Sequence, residues 1–253
     1  MAGSQAVPES NAVIDIRLLR DITQFAGVVE LQKEIWGFDP IDLLPMRFLV
    51  VLDKVGGHIF GAYDGDRLIA FCFAIPGVKP GPTPYLHSHM LGVLPEYRDT
   101  GIGRRLKLLQ REDALARGIG LIEWTFDPLE LKNAFFNMER LGAVVRRYAE
   151  NQYGITASPL HGGLPTDRCT AEWHLDSPRV RQILAGARPP VHAVERISYP
   201  ADIALIRTQD AVRAREIQRT NAALFQDAFA RGLAVTGFER GPDAGSYLLE
   251  PWQ

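Results

Sequence analysis

The most informative stretch of the sequence is Val93-Leu-Pro-Glu-Tyr-Arg98-Asp-Thr-Gly101-Ile-Gly103-Arg104-Arg105-Leu106. It follows a strand-like run, 85–93, and opens into a helix-like run, 102–117. Two glycines at such a junction allow a tight turn that exposes backbone N–H groups. Amides at a helix N-terminus, with the positive end of the helix dipole behind them, form an anion site suited to a pyrophosphate. The stretch therefore predicts binding of a phosphorylated cofactor.

The composition predicts a soluble globular protein. A chain of 253 residues suits one large domain, or a domain with an extension. Its formal charge of −2 argues against a nucleic-acid partner, which needs a concentrated basic surface. No apolar run reaches the roughly 18–20 residues of a membrane span, and residues 1–11 lack the apolar core of a secretory signal. We expect a cytoplasmic protein without nucleic-acid or membrane partners.

The apolar pattern predicts three parts. Residues 1–11 are expected to form a disordered tail, 12–176 a domain of strands and helices, and 177–253 a C-terminal α/β extension. Asp64-Gly65-Asp66 predicts a hairpin turn, and four prolines within 76–84 predict a surface loop. In the extension we expect a strand near 203–207, a helix over about 210–231, and strands near 233–239 and 247–250.

Two motifs occur at a familiar spacing. Arg98-Asp-Thr-Gly101-Ile-Gly103 follows Leu91-Gly92-Val93, and a helix-like block containing Asn133-Ala134-Phe135-Phe136-Asn137 closes at Leu141-Gly142. With the order strand, helix, helix, three strands, glycine-turn helix, strand, helix, strand, strand, residues 12–176 resemble the GNAT acyltransferases (the GCN5-related N-acetyltransferase superfamily). The resemblance implies an α+β fold, a splayed mixed sheet flanked by helices. It also implies an acyl-CoA-dependent N-acyltransferase, in which a primary amine attacks the thioester directly.

The same resemblance implies how the acyl-CoA would be held, wedged between the fourth and fifth strands. Backbone groups of Leu91 and Val93 would pair with the pantetheine arm. The pyrophosphate would bind the amides of the turn, Arg98, Asp99, Thr100, Gly101, Ile102, Gly103 and Arg104. The second block would contribute Asn133, Phe136 and Asn137. Acetyl-CoA is one candidate donor, and the long extension, which resembles a subgroup associated with N-succinylation, leaves succinyl-CoA open.

The catalytic groups are less defined by the sequence. Glu123 lies on the fifth strand, where GNATs often place a general base or a carboxylate that orders water; a solvent-facing strand residue is the alternative. Many GNATs have a tyrosine that protonates the CoA sulfur, but this chain has Met138 at that position. Tyr148 is our predicted substitute. Three alternatives stay open for this step: Asn137 or Tyr153 takes the role of the acid, or the thiolate leaves without one.

Three further residues are predicted to contact the acceptor. His87 and His89 share one strand face because side chains alternate with a period of two. No third ligand is marked by local spacing, so we expect them to line the acceptor cleft or to pack in the sheet rather than to bind a metal. The long loop 154–168 is a candidate lid, and Arg168 at its end could recognise the amine or a carboxylate of the acceptor. A plain surface connection is the alternative.

Two functions compete. The first is an acyltransferase acting on a small-molecule primary amine, with an amino acid as one candidate and no metal required. The second is a non-catalytic GNAT-fold acyl-CoA-binding or sensor protein, which Met138 and the extension both allow. A dinucleotide or P-loop site is disfavoured because the turn lacks the third small residue and no Gly-Lys-Ser/Thr loop occurs. The extension could complete the sheet within one chain or pair edge strands in a homodimer.

Overall fold

The computed structural model describes residues 13–79, 83–154 and 163–252. The predicted tail and residues 155–162 of the predicted lid lie outside these ranges. The chain divides into two compact units, the first covering residues up to 74 together with 90–110, and the second covering 75–89 together with 111 onward. Among the described helices, none combines the length and apolar character needed to cross a membrane.

The order of the elements agrees with the predicted one through the seventh strand, and the mixed α/β fold class is confirmed. The bounds are β1 (Asp15–Leu18), α1 (Ile22–Trp36), α2 (Met46–Lys54), β2 (His58–Asp64), β3 (Arg67–Val78), β4 (Pro84–Val93), a 3₁₀ turn (Pro95–Tyr97), α3 (Ile102–Ala116), β5 (Leu121–Phe126), α4 (Leu131–Phe135), a π turn (Phe136–Leu141), β6 (Val144–Ala149), β7 (Arg168–His174), α5 (Pro178–Leu184), β8 (Glu195–Pro200), α6 (Ile203–Gln209), α7 (Ala211–Ala230), β9 (Leu233–Arg240) and β10 (Ala244–Pro251).

The first unit is built on three antiparallel strands in the order β1, β2, β3. The predicted hairpin joins β2 to β3, and Gly65 in its turn has a φ of +58°, which glycine adopts without steric cost. The side chain of Asp21 caps α1 by accepting a hydrogen bond from the N–H of Gln24. The side chain of Gln24 in turn accepts from the N–H of Asp21, which completes a capping box. Buried apolar residues of α1, α2 and the strands form the core of this unit.

The second unit contains strands in the order β5, β7, β6, β9, β10, β8, all neighbours antiparallel. The first part of β4 runs parallel to β5, with Leu86 beside Ile122 and His87 beside Glu123. The extension joins this sheet where Val235 of β9 pairs with Val145 of β6. Of the two arrangements left open by the sequence, the extension therefore adopts the one that continues the sheet within its own chain.

Two sequence predictions of local structure are wrong. The strand expected near 203–207 is helix α6, in which Ile203 and Ile206 are buried and Leu205 is exposed. A short apolar run fits a strand or a helix face, and here the three-residue spacing of the buried positions reveals the helix. The loop expected over 76–84 is shorter, because β3 continues to Val78 and β4 begins at Pro84.

Candidate active site

The turn before α3 has the backbone geometry of an anion cradle. Asp99 and Gly101 adopt left-handed conformations, with φ of +61° and +87°. The first helical bond runs from the N–H of Arg105 to the carbonyl of Gly101, so the preceding amides have no acceptor within the helix. A Cβ placed on Gly101 would meet nothing within 4 Å. The turn therefore presents amides on an open side, where a phosphate group fits.

Short-range bonds hold this turn in place. The Thr100 hydroxyl donates to the carbonyl of Tyr97 at 2.7 Å, and the Nε of Arg98 donates to the carbonyl of Val93 at 3.2 Å. The Tyr97 hydroxyl donates to the carboxylate of Asp64 at 2.6 Å, which anchors the 3₁₀ turn to the β2–β3 hairpin. The exposed side chain of Arg98 thus ties the turn to the end of β4.

The structure brings together three residues predicted to contact the cofactor. A Cβ on Gly103 would lie 3.6 Å from the side chain of Leu91 and 4.0 Å from that of Val93. The first turn of α3 therefore lies against the end of β4. The amide of Arg104 also belongs to this first turn, whereas the guanidinium of Arg105 donates to the carbonyl of Ile14.

The second predicted block lies in the other unit. Asn133 is exposed on α4, Phe136 is half-buried, and Asn137 is buried in the π turn. Among the described residues, the buried Nδ2 of Asn137 has no hydrogen-bond partner. A buried amide without a partner is costly, and one-turn π segments are frequent at functional sites. Met138 is fully buried.

Glu123 belongs to a buried cluster of opposite charges in the second unit. It pairs across the strands with Glu172, and both side chains are at most 4% exposed. Lys79 contacts the carboxylate of Glu123, and Nη2 of Arg147 lies 2.7 Å from it. Arg147 also donates from Nε to Glu172 at 3.2 Å, and Arg146 donates to the same carboxylate. Each carboxylate is thus compensated by two cations.

Glu172 is held in its ionised form. Burial acts to raise its pKa, but contacts with His174 and Arg146 and the charge of Arg147 outweigh burial and lower the pKa to about 2. A carboxyl group with a depressed pKa stabilises the fold above its ordinary pKa and loses this contribution as the pH falls. The relevant window lies between pH 4.5 and about 2.

Replacing Glu172 by glutamine is expected to reduce the acid sensitivity of the fold. Between pH 6 and pH 3 the wild type should lose about 2 kcal/mol of unfolding free energy that the variant does not lose. Urea unfolding at both pH values measures this difference. Glu239→Gln removes a glutamate whose pKa is also lowered by its bond with Arg196, but at the exposed surface where such a pair contributes little; it is the control and should keep most of the acid sensitivity of the wild type. A difference between wild type and Glu172→Gln that is constant with pH would contradict the assignment.

Two predicted acceptor residues, His87 and His89, share the Glu123 face of the sheet. Register partners in neighbouring strands project to the same side, so His87 lies beside Glu123. The rings of His87 and His89 are 5.9 Å apart, which confirms that the two histidines share a face. The hydroxyl of Tyr153 lies 3.0 Å from that of Thr125, two residues along β5 from Glu123.

Tyr148 lies on the opposite face. It pairs with Cys169, three residues from Glu172 along β7, and its ring stacks on Phe225 of α7. Its hydroxyl donates to Asp167 at 2.7 Å, and burial together with this contact raises the pKa of Tyr148 far above its usual range. Of the two tyrosines considered from the sequence, Tyr153 therefore lies on the face of Glu123 and Tyr148 does not.

Arg168 begins β7 and contacts neighbouring groups of its own segment. Its Nη1 donates to the carbonyl of Asp167 at 2.9 Å, and its guanidinium lies 5.4 Å from the ring centroid of Tyr153. Thr166, before it, bonds the backbone of Tyr153 and Gly154. Both ends of the predicted lid are thus tied together. The described residues contain no group of three or more His, Cys, Asp or Glu side chains placed to hold a metal ion.

A cavity of about 690 Å³ opens over the charged cluster. Its lining is Lys79, Leu121, Glu123, Arg146, Arg147, Glu172, His174, Phe229, Gly232, Leu233 and Trp252. Of these, the sequence singled out Glu123 alone. The adjacent charges Arg146-Arg147 inside an otherwise apolar strand segment are the signal that could have marked the cavity.

The sequence matches the model of the acetyltransferase (GNAT) family over residues 25–142. No curated protein matches the chain. Several solved structures share its fold. The ribosomal-protein-S18-alanine N-acetyltransferase from Escherichia coli is 16% identical, with a TM-score of 0.51 over 65% of this chain and 96% of its own. Arabidopsis thaliana Naa50, in complex with the bisubstrate analogue CoA-Ac-MVNAL, is 15% identical, with a TM-score of 0.50 over 63% and 97%.

An aminoglycoside 6′-acetyltransferase type Ii is also similar, at 19% identity and a TM-score of 0.50 over 64% of this chain and 98% of its own. At these identities the likeness concerns the fold alone. The family match covers the glycine turn, β5 and the Asn133–Gly142 block, the segments on which the sequence resemblance depends. Residues 25–142 accordingly belong to the GNAT acetyltransferase family, and the chain carries a GNAT domain with a long C-terminal extension.

Proposed function

We propose that the protein is an acyl-CoA-dependent N-acyltransferase that acts on a small-molecule primary amine. The observation that carries the proposal is the turn before α3, with its left-handed Asp99 and Gly101 and its open side. The amides of Ile102 and Gly103 bind the pyrophosphate of the donor, beside Arg104 in the same first turn of α3. This is the role expected of unsatisfied amides at a helix N-terminus.

Other residues hold the remainder of the donor in this proposal. Leu91 and Val93 offer backbone groups to the pantetheine arm, and a Cβ added at Gly103 would lie 3.6 Å and 4.0 Å from their side chains. Asn137 supplies a buried amide without a partner among the described residues, which suits a carbonyl of the ligand. Asn133 and Phe136 lie in the same α4 and π segment.

The chemistry requires a base for the amine and a proton donor for the departing thiolate. The donor supplies a thioester carbonyl that the amine attacks, so that a C–N bond forms and the C–S bond breaks. Glu123, oriented by Lys79 and Arg147, accepts the proton of the amine directly or through water. Tyr153, on the same face as Glu123, is assigned the return of a proton to the departing thiolate. His87, next to Glu123, and His89 contribute to the acceptor side.

Acetyl-CoA is the donor we propose. A succinyl group would need a cation for its terminal carboxylate, and Arg98, Arg168 or a C-terminal arginine are the candidates for that role. Arg98 supports the turn through Val93, and Arg168 bonds the backbone at Asp167. We expect turnover with acetyl-CoA to exceed turnover with succinyl-CoA at least tenfold, the effect of about one lost charge-assisted contact. Comparing the two donors with one amine pool measures this ratio, and equal or greater turnover with succinyl-CoA would contradict it.

Calorimetric titration with CoA and release of free thiol from acetyl-CoA test the function itself. We expect binding of CoA, thiol release that depends on added amines, and N-acetyl products by mass spectrometry. Binding without thiol release from any amine would favour the sensor function. No binding of CoA would refute the proposal.

A further inference from the structure

The cavity over Glu123 and Glu172 has the lining of a site for a small zwitterion. Lys79, Arg146 and Arg147 contribute three positive charges and the two glutamates two negative ones, a net charge of +1 with the histidine neutral. Cations are in excess at the place where the proposed function puts the amine. A ligand with an ammonium and a carboxylate group would match both signs.

The two arginines retain unused donors. Arg146 contacts Glu172 through Nε and Nη2, and Arg147 uses Nε for Glu172 and Nη2 for Glu123. Within the described parts of the chain, Nη1 of each guanidinium makes no hydrogen bond, although a guanidinium carries donors on all three nitrogens. Both arginine side chains are more than a third exposed. The cations over the buried carboxylates can thus still bind an anion.

The rest of the wall is apolar. Leu121, Phe229 and Leu233 line the cavity with Trp252, which comes from the C-terminal extension. The guanidinium of Arg146 lies 5.3 Å from the ring centroid of Trp252. The N–H of Trp252 donates to the carbonyl of Gly232, which fixes the end of the chain at this cavity. An apolar side chain would therefore find a surface next to the cationic rim.

We infer that this cavity binds the acceptor, and that the acceptor is a free α-amino acid with an apolar side chain. The inference rests on the proposed function for the reaction at the amine. Arg146 binds the carboxylate through its unused nitrogen, with Lys79 and Arg147 adding charge. The ammonium group faces Glu123, and the side chain packs on Trp252. The extension thereby contributes to acceptor specificity.

Matched ligands test this assignment without any chemistry. L-Phenylalanine and L-phenylalaninamide share the amine and the ring, and only the acid carries the carboxylate; L-leucine and L-leucinamide form a second pair. Calorimetric titrations use the full chain, with saturating CoA and without it. We expect each acid to bind roughly tenfold to a hundredfold more tightly than its amide, the usual effect of a charge-assisted contact.

Two variants locate the effect. Arg146→Gln should remove most of the preference for the acid, whereas Arg196→Gln, which breaks an exposed ion pair on β8, should retain it. If Arg146→Gln does not fold, Lys79→Met at the half-exposed rim provides the same comparison. Amides that bind as well as acids, acids that do not bind at millimolar concentration, or an unchanged preference in the folded cavity variants would each overturn the inference. These titrations measure amino-acid binding without any acyl transfer. Failure of the proposed function would instead appear as absent CoA binding or absent thiol release, so the two failures can be told apart.

Discussion

Gly101→Val is expected to lower the affinity for CoA at least about tenfold, while Gly65→Val leaves it unchanged. Both glycines have positive φ, +87° and +58°, and a Cβ added at either position would meet no atom within 4 Å. Adding a side chain at either position should therefore cost a similar free energy, roughly 1–2 kcal/mol, in backbone strain. Of the two glycines, only Gly101 lies in the turn whose amides are assigned to the pyrophosphate. A backbone that moves to relieve the strain in the Gly101→Val variant therefore displaces those amides.

Calorimetric titration with CoA measures the affinity, and urea unfolding measures the strain in both variants. Gly65 belongs to the β2–β3 hairpin of the same unit, which makes it a matched control for general damage. Equal losses of affinity in the two variants would mean that the effect is one of stability. A Gly101→Val variant that folds and binds CoA like the wild type would refute the assignment of the turn.

Glu123→Gln is expected to lower kcat about a hundredfold, the usual contribution of a positioned general base. The amide keeps the size of the side chain but cannot take the proton of the amine. The affinity for CoA should not change, because the carboxylate is assigned to the acceptor. Steady-state kinetics with acetyl-CoA and a turned-over amine measure kcat, and calorimetry measures CoA binding.

Glu239→Gln is the matched control for this variant as well, since it removes one glutamate from an exposed ion pair of the same unit. It should match the wild type in both measurements. Retention of wild-type kcat in Glu123→Gln would exclude the carboxylate as the base. A parallel loss of CoA affinity would indicate a structural effect of breaking the contacts with Lys79 and Arg147 instead.

The parts of this protein that could be predicted from the sequence are those whose conformation depends on neighbouring residues in the chain. The glycine turn and the hairpin at Gly65 each depend on a few adjacent residues, and both are observed. Helix α6 was missed because a short apolar run does not distinguish a strand from a helix face.

The charged cavity could not be derived in the same way. Its charges come from separate strands and meet only through the register that pairs Glu123 with Glu172. Strand alternation alone does not say which face Glu123 occupies, and it does not reveal that Tyr148 lies on the other one. The ring of Trp252 reaches this cavity from the far end of the chain. Each of these placements depends on contacts distant in sequence.

The register of β6 against β7 shifts between Val145 and Arg147, so Arg146 is an additional residue in the strand. In a regular strand consecutive side chains point to opposite sides, and two neighbouring arginines could not both reach Glu172. Because of this additional residue, the net charge of the cavity can change while the pairing of the strands stays the same. Deleting Arg146 would restore a regular ladder and change the cavity from net positive to neutral. A single codon thus decides whether this cavity carries a net positive charge, and related chains could differ in the ligand they select without any change of fold.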